Sequence, residues 1–174
     1  DYDQDLDEVL QRMEDEGVAS ITVGTSLETS KQAVELAKQK PYLFATFGLH
    51  PTHVGEETFS ENAYADFQGE PTIVGVGECG LDYYRKDGAD PEVKKAQIRE
   101  FEKHMECAIK NDLPLMIHAR PAKGSQDAYT DIANIIQSRQ KTTGEKLRGN
   151  MHFFVGNVAA ALDLAEQRAH LPGV

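Results

Sequence analysis

The chain alternates short apolar segments with segments of helical periodicity, and this alternation limits the possible folds more than any other feature. Each apolar run has the length of a strand, and the residues between runs place apolar side chains at helical spacing. Strands that alternate with helices form parallel sheets covered by helices. The strands we predict are VASITVG at 18–24, LFATFGLH at 43–50, TIVGVGEC at 72–79, PLMIH at 114–118 and MHFF at 151–154.

Local signals mark the ends of several helices. Gly17 follows the first helical pattern where a C-cap glycine belongs, and Ser26 precedes the second. Pro91 opens the longest pattern, which runs to about Asn111. The remaining helices are predicted at 62–67, through 132–136, and at 157–168.

A parallel sheet of this kind is either doubly wound or built as a barrel. No Gly-x-x-x-x-Gly-Lys-Ser/Thr loop follows a predicted strand, and the one Gly-x-Gly-x-x-Gly stretch, at 75–80, overlaps a strand instead of following it. This favours a TIM-type barrel. No repeat, low-complexity tract or linker interrupts the chain, so we predict one domain over residues 1–174.

Polar residues fall at or near the carboxyl ends of four predicted strands: His50, Glu78, His118 and His152. In a parallel barrel these ends share the face on which active sites are built. Imidazoles with a carboxylate suit Zn²⁺ or a comparable divalent cation. A single histidine at a strand end is more often structural, but buried Glu and His are uncommon unless paired. The four residues together therefore predict a metal site.

Other polar residues have less specific positions. His104 lies in the long helical pattern and His170 in the tail, so both are interpreted as structural. His53 is a loop residue that is either near the site or solvated. The charged segment DYYR at 82–85 follows the third strand. Such loops are usually solvated, yet this one would lie directly above the metal.

Composition excludes some classes of protein. A net charge of −11 argues against coating nucleic acid by counterion release, although a bound cation could still make one pocket positive. No apolar run approaches the roughly 18 residues of a membrane span, and no signal-peptide pattern opens the sequence. Cys79 and Cys107 lack metal or disulfide spacing. We therefore expect free thiols and a cytoplasmic protein.

Four segments resemble successive signature segments of the TatD family of metal-dependent deoxyribonucleases, in the same order and spacing. They are FGLHP at 47–51, GECGLDYYR at 77–85, MIHAR at 116–120 and MHFFVGN at 151–157. The resemblance covers nearly the whole chain. It implies an α/β fold of the amidohydrolase-like TIM-type (β/α)8 barrel class, one or two divalent cations (Mg²⁺, Zn²⁺ or Mn²⁺), and hydrolysis of phosphodiester bonds in DNA.

The resemblance also implies roles for individual residues. Glu78, His118 and His152 match metal ligands of the family, and Glu78 is also expected to be catalytic. His50 matches a histidine near the pocket, which we assign to catalysis and to substrate phosphate rather than to metal. Asp82 and Arg120 are expected to contact the substrate.

Two parts of the family pattern are not matched by this sequence. Members usually open with a strand ending in Asp-x-His-x-His-Leu and close with one ending in Glu-Thr-Asp, and neither segment occurs between Asp1 and Val174. The five predicted strands would then be strands 2 to 6 of eight, which cannot close the barrel. We therefore expect a partial hydrolase domain that lacks the first strand and the C-terminal strands.

The expected function is a divalent-metal-dependent deoxyribonuclease in which an activated water attacks phosphorus. The acidic composition favours DNA ends or short strands over long duplex. One alternative is an amidohydrolase that acts on another ester or amide with similar ligands. The other is a non-catalytic, truncated remnant. The sequence carries no signal for membrane association or for an oligomeric state.

Overall fold

Five parallel strands alternate with five α-helices in the computed structural model, which describes residues 4–85, 88, 90–143 and 147–166. The strands are β1 (Ser20–Val23), β2 (Leu43–Phe47), β3 (Ile73–Asp82), β4 (Leu115–Arg120) and β5 (Gly149–Met151). The helices are α1 (Leu6–Asp15), α2 (Leu27–Ala37), α3 (Pro91–Asn111), α4 (Asp127–Thr143) and α5 (Val158–Glu166). Single turns of 3₁₀ helix lie at Pro51–His53 and Ala65–Phe67.

The strands form one sheet in the order β1-β2-β3-β4-β5, so each strand pairs with its neighbours in sequence. A doubly wound sheet reverses its order at a switch point, whereas a TIM-type barrel steps in one direction. The predicted α/β class is confirmed, and the stepping order is that of the barrel. Among the described strands, β1 and β5 do not pair with each other, so the sheet is open.

Capping side chains begin the two helices whose starts were predicted most directly. In α2 the Ser26 hydroxyl accepts the N–H of Thr29, and the Thr29 side chain accepts the N–H of Ser26, which is a capping box. In α3 the Asp90 side chain caps the first turn and Pro91 occupies the first helical position. The helix ends at Asn111, and the C-cap residue Asp112 has a left-handed φ of 53°. The predicted span of α3 is confirmed at both ends.

The hydrophobic core lies between the sheet and the helices. In β4, Leu115, Ile117 and Ala119 are buried in this core, while His118 points to the other face. Successive side chains of a strand alternate between faces, so one face of the sheet packs on helices and the other carries polar residues. Both cysteines are buried free thiols, as predicted. No described helix has the length and apolar composition that crossing a bilayer requires.

The third strand is longer than predicted and ends at Asp82 rather than near Cys79. Gly80 resembles a strand breaker in the sequence, but its φ of 136° and its contact with β4 give it a different role. A Cβ atom at this position would stand 2.1 Å from the His118 carbonyl oxygen. Glycine therefore permits the close pairing of β3 with β4. As a result Glu78 lies inside β3 and not at its end.

Other boundaries also differ from the prediction: β1 begins at Ser20, β2 ends at Phe47 rather than at His50, and β4 extends to Arg120 rather than to His118. β5 ends at Met151, because Phe153 has a φ of 52° and turns the chain away from the sheet. The segment predicted as a short helix at 62–67 contains only the 3₁₀ turn Ala65–Phe67. The last helix begins at Val158. Its predicted end at 168 and the tail residue His170 lie outside the described residues.

Candidate metal centre

Four consecutive strands bring polar side chains together on the face of the sheet that is not covered by the helices, near the carboxyl ends of the strands. Glu78 lies in β3 and His118 in β4. His152 follows β5 directly, and its backbone N–H donates to the Ile117 carbonyl at 3.1 Å. His50 lies three residues beyond the end of β2. The structure therefore brings together the four residues that were predicted to converge.

One carboxylate oxygen, Oε1 of Glu78, is the centre of this group. His118 Nδ1 donates to it at 3.0 Å and His152 Nε2 at 2.8 Å. His50 Nε2 lies 3.7 Å from the same oxygen. Burial alone would raise the pKa of Glu78, but the hydrogen bond from His118 and the other nearby imidazoles lower it to about 2. Glu78 is therefore ionised at neutral pH.

Asp82 holds the other ring nitrogen of His118. His118 Nε2 donates to Asp82 Oδ2 at 3.2 Å, and Asp82 Oδ1 accepts the backbone N–H of Tyr84 at 3.1 Å. Burial would lower the pKa of His118, but its hydrogen bonds to Asp82 and Glu78 outweigh burial and raise the pKa. An imidazole that donates to two carboxylates carries protons on both nitrogens. The two carboxylates thus favour the cationic ring.

Thr52 fixes the orientation of His50. The Thr52 backbone N–H donates to His50 Nδ1 at 3.2 Å, and the Thr52 hydroxyl lies 2.7 Å from the same nitrogen. Because Nδ1 is an acceptor, the neutral ring carries its proton on Nε2, the nitrogen that faces Glu78. Burial and the positive charge of the nearby His118 lower the pKa of His50 to about 4. The ring is therefore neutral at pH 7.

The two residues predicted to contact substrate have different surroundings. The Asp82 side chain is 2% exposed and its carboxylate is engaged with His118 and with backbone N–H groups, so it faces the cluster. Arg120 is exposed at the end of β4. Its guanidinium lies over the ring of Tyr84, 3.9 Å from the ring centre. Arg120 is therefore at the rim of the site, and Asp82 is inside it.

The donor set fits a divalent cation. Ligand atoms of His50, Glu78 and His118 lie within 4.8 Å of one another. His152 Nε2 and His118 Nδ1 also meet at the same oxygen of Glu78. Imidazole nitrogen and carboxylate oxygen are usual ligands of Zn²⁺ and suit other divalent ions. The described group whose ligand atoms fit one cation is thus His50, Glu78 and His118, and His152 adjoins it through the same oxygen of Glu78.

Comparison with known proteins identifies the family. The family model described as TatD related DNase matches residues 1–173 of the chain. The chain belongs to the TatD family. The resemblance inferred from the four sequence segments is thereby confirmed.

Curated relatives of this TatD-family chain include a hydrolase and several nucleases. Over 172 residues it is 29% identical to the uncharacterized metal-dependent hydrolase YabD of Bacillus subtilis (strain 168). This match covers 98% of the chain and 62% of YabD. Two proteins named 3'-5' ssDNA/RNA exonuclease TatD, from Escherichia coli (strain K12) and Erwinia tasmaniensis, are 32% and 36% identical, and each match covers 70% of the chain and 46% of the relative. The chain thus spans about half to three-fifths of these relatives.

A solved structure supports the TIM-type fold of the TatD-family chain. The crystal structure of YjjV, a TatD homolog from Escherichia coli K12, matches with a TM-score of 0.71 at 24% identity, and covers 94% of the chain and 60% of YjjV. The prediction of a TIM-type barrel that is present only in part is therefore confirmed. The described sheet is not closed.

Sequence reasoning missed a set of buried polar side chains on α3 of the TatD-family chain. They recur at helical spacing and form hydrogen bonds with backbone groups next to the site: Gln97, Glu100 and His104. A signal for them existed, because polar residues three and four apart lay within an otherwise apolar face. His104 alone was interpreted as structural, which agrees with its full burial.

Proposed function

We propose that the full-length protein is a divalent-metal-dependent hydrolase that cleaves phosphodiester bonds in DNA, and that residues 1–174 form a single domain of it. The observation that carries this proposal is the contact of His118 and His152 with one oxygen of Glu78. Imidazoles and a carboxylate that converge from separate strands are the ligand type of hydrolytic metal centres. Membership of the TatD family supports the same chemistry.

Glu78, His118 and His152 are the proposed ligands. A divalent cation held by them would lower the pKa of a bound water toward neutrality and polarise a phosphoryl oxygen. Glu78 keeps its negative charge at neutral pH because its pKa is about 2. Asp82 fixes the rotation of the His118 ring through Nε2, as residues behind a ligand commonly do. This orienting role is the one that the 2% exposure of Asp82 supports.

His50 is proposed to meet a substrate phosphate rather than the cation. The hydrogen bond from Thr52 leaves the proton of the neutral ring on Nε2. A protonated nitrogen donates well to a phosphate oxygen, and His50 Nε2, at 3.7 Å from Glu78 Oε1, is farther from this carboxylate than the nitrogens of His118 and His152. Arg120 at the rim presents a planar guanidinium to a second phosphate, and its stacking on Tyr84 holds that plane in place.

Ends of single strands or short strands are the proposed substrate. The TatD relatives described above are named for single-stranded DNA and RNA. A net charge of −11 disfavours long electrostatic contact with duplex. A short contact beside a cation needs only one or two phosphates, and the charge of the cation dominates at that range.

Cleavage of labelled oligonucleotides by the full-length protein tests the proposal. Single-stranded DNA labelled at either end, the matching duplex and RNA are incubated with Mg²⁺, Mn²⁺ or Zn²⁺, and an ester and an amide are tested in parallel. We expect stepwise shortening of single strands, loss of cleavage in EDTA, and recovery on adding metal. Glu78→Gln removes the ligand charge without changing side-chain size. It should lower kcat/KM by more than the roughly 10–100-fold effect of residues behind the ligands.

Glu35→Gln is the matched control, because Glu35 is exposed on α2 and pairs with Lys38. It should retain full activity. Cleavage that survives EDTA, or cleavage by Glu78→Gln at the wild-type rate, would contradict the proposal. Hydrolysis of the ester or amide without cleavage of DNA would show that DNA is not the substrate. The metal content of two further variants tests whether His152 or His50 belongs to the ligand set. His152→Ala should lower bound metal per chain, whereas His50→Ala should leave it unchanged and raise KM.

A further inference from the structure

Buried side chains of α3 accept hydrogen bonds from the backbone of the loop that carries His50. His104 Nε2 accepts the backbone N–H of Leu49 at 2.9 Å. Glu100 Oε2 accepts the backbone N–H of Phe59 at 2.8 Å, at the far end of the same loop. Both side chains are buried, so water does not compete for these hydrogen bonds. The segment from 49 to 59 is therefore held at both ends by one helix.

Gln97, two turns before His104 on the same helix, reaches two parts of the site at once. Its Oε1 accepts the backbone N–H of Asp82 at 2.9 Å. Its Nε2 donates to the carbonyl oxygens of Asp82 at 3.1 Å and of Pro51 at 3.4 Å. The residue is 4% exposed. One buried amide thus joins the end of β3 to the residue that directly follows His50.

The pairing of the sheet explains why the end of β3 needs this side chain. β2 pairs with β3 only as far as Val76, so the side of β3 that faces β2 lacks a strand beside Asp82. Tyr83 donates its N–H to Arg120 on β4. Successive N–H groups of a strand point to opposite sides, so the N–H of Asp82 points away from β4. There Gln97 supplies the acceptor and the donor that a neighbouring strand would supply.

We propose that Gln97 is a positioning residue that sets the place of His50 relative to Glu78 and His118, an inference that rests on the proposed function of this site. Its amide couples the loop of His50 to Asp82, the residue that orients His118. Without the amide, three buried backbone groups lose a partner and must move to find another. Such movement changes the 3.7 Å separation between His50 Nε2 and Glu78 Oε1.

Two substitutions in the full-length protein test this role. Gln97→Met keeps the length of the side chain but removes its N–H donors and its carbonyl acceptor. Gln97→Glu keeps the shape of the side chain and an acceptor for the N–H of Asp82, but it places an oxygen instead of a donor against the carbonyls of Asp82 and Pro51. Gln32→Met is the matched control, since Gln32 is exposed on α2 and its amide donates to Glu28 at 3.1 Å. All variants are compared at urea concentrations where unfolding curves show them folded.

The first measurement is the nitrogen chemical shift of the His50 and His118 rings in metal-free protein. We expect these shifts to change in both Gln97 variants and to stay at wild-type values in Gln32→Met. The second measurement is kcat/KM on single-stranded DNA, which should fall on the order of 10–100-fold in Gln97→Met because small displacements of positioned groups have effects of that size.

Unchanged ring shifts together with unchanged kcat/KM in a folded Gln97 variant would overturn the proposal and leave Gln97 with a purely structural role. If Gln97→Met does not fold, Gln97→Glu decides by the same two measurements. If the wild-type protein cleaves no nucleic acid, the proposed function fails while the ring shifts still decide whether Gln97 positions His50. The two failures are therefore distinguishable.

Discussion

Replacing Gly80 with alanine tests how closely β3 and β4 must approach for the cluster to form. Gly80 pairs in register with His118, and its φ is 136°. A Cβ atom at position 80 would stand 2.1 Å from the His118 carbonyl oxygen. Carbon and oxygen atoms in contact are normally about 3.3 Å apart or more. The two strands would therefore have to separate locally by roughly 1 Å.

Two costs add in this variant. Alanine in a backbone region that favours glycine costs about 1–3 kcal/mol. Each buried backbone group left unpaired when the strands separate costs about 1–3 kcal/mol more. Gly69→Ala is the matched control, because Gly69 has a φ of 83° but no atom within 4 Å of its Cβ position. It should show only the backbone cost, about 1–3 kcal/mol.

Urea unfolding of the two full-length variants measures both free energies. We expect Gly80→Ala to lose at least about 2 kcal/mol more than Gly69→Ala, the cost of unpairing one or two backbone groups. Metal affinity should also fall in Gly80→Ala, because His118 moves with β4, and should be unchanged in Gly69→Ala. Equal losses of stability in the two variants would refute the reasoning, since the contact with the His118 carbonyl would then have no energetic effect.

Three further changes test other parts of the structure. Ser26→Ala removes the hydroxyl that accepts the Thr29 N–H at 3.2 Å, so the free energy of unfolding should fall by about 1 kcal/mol; an unchanged value would contradict the capping box. Burial lowers the pKa of His104 to about 4 in the folded protein, so His104 is protonated at a higher pH in the unfolded chain than in the folded one. Up to about 3 kcal/mol of the free energy of unfolding should therefore be lost as pH falls from about 6.5 to about 4. His104→Gln keeps an acceptor but does not titrate; if its stability falls as steeply as that of the wild type, the assignment to His104 is wrong. Arg120→Ala should raise KM for single-stranded DNA severalfold with little loss of stability, since Arg120 is exposed over Tyr84, and Arg120→Lys should recover only part of the binding; an unchanged KM would exclude Arg120 from the substrate site.

The parts of the fold that could be predicted have local signals. Pro91 fixes the first turn of α3, and the helical pattern ends at Asn111, as observed. The sequential sheet follows from strands and helices that alternate, because consecutive strands usually become neighbours. The end of β3 could not be predicted in the same way. Gly80 is compatible with a strand end and with a close approach of two strands, and only the position of β4 decides between them.

The members of the candidate site could be predicted, but their mutual contacts could not. Parallel strands end on one face, so residues near those ends were expected to meet, and they do. Their roles as ligands stay predictions. The hydrogen bond between Asp82 and His118 joins residues 36 positions apart, and that between Gln97 and Pro51 joins residues 46 apart. No local pattern encodes such contacts, because the first depends on the register of β3 with β4 and the second on how α3 packs against the sheet.

The register of β3 with β4 links cation binding to correct strand pairing. Gly80 lies opposite His118, and a slip of one residue would turn His118 into the hydrophobic core and Ile117 out of it. A cation that needs Glu78 and His118 on the same face binds only chains in the native register, and so it stabilises that register alone. Cation binding would thereby favour the correct pairing of β3 with β4 during folding. Refolding in the presence of metal should yield fewer mispaired molecules than refolding in EDTA.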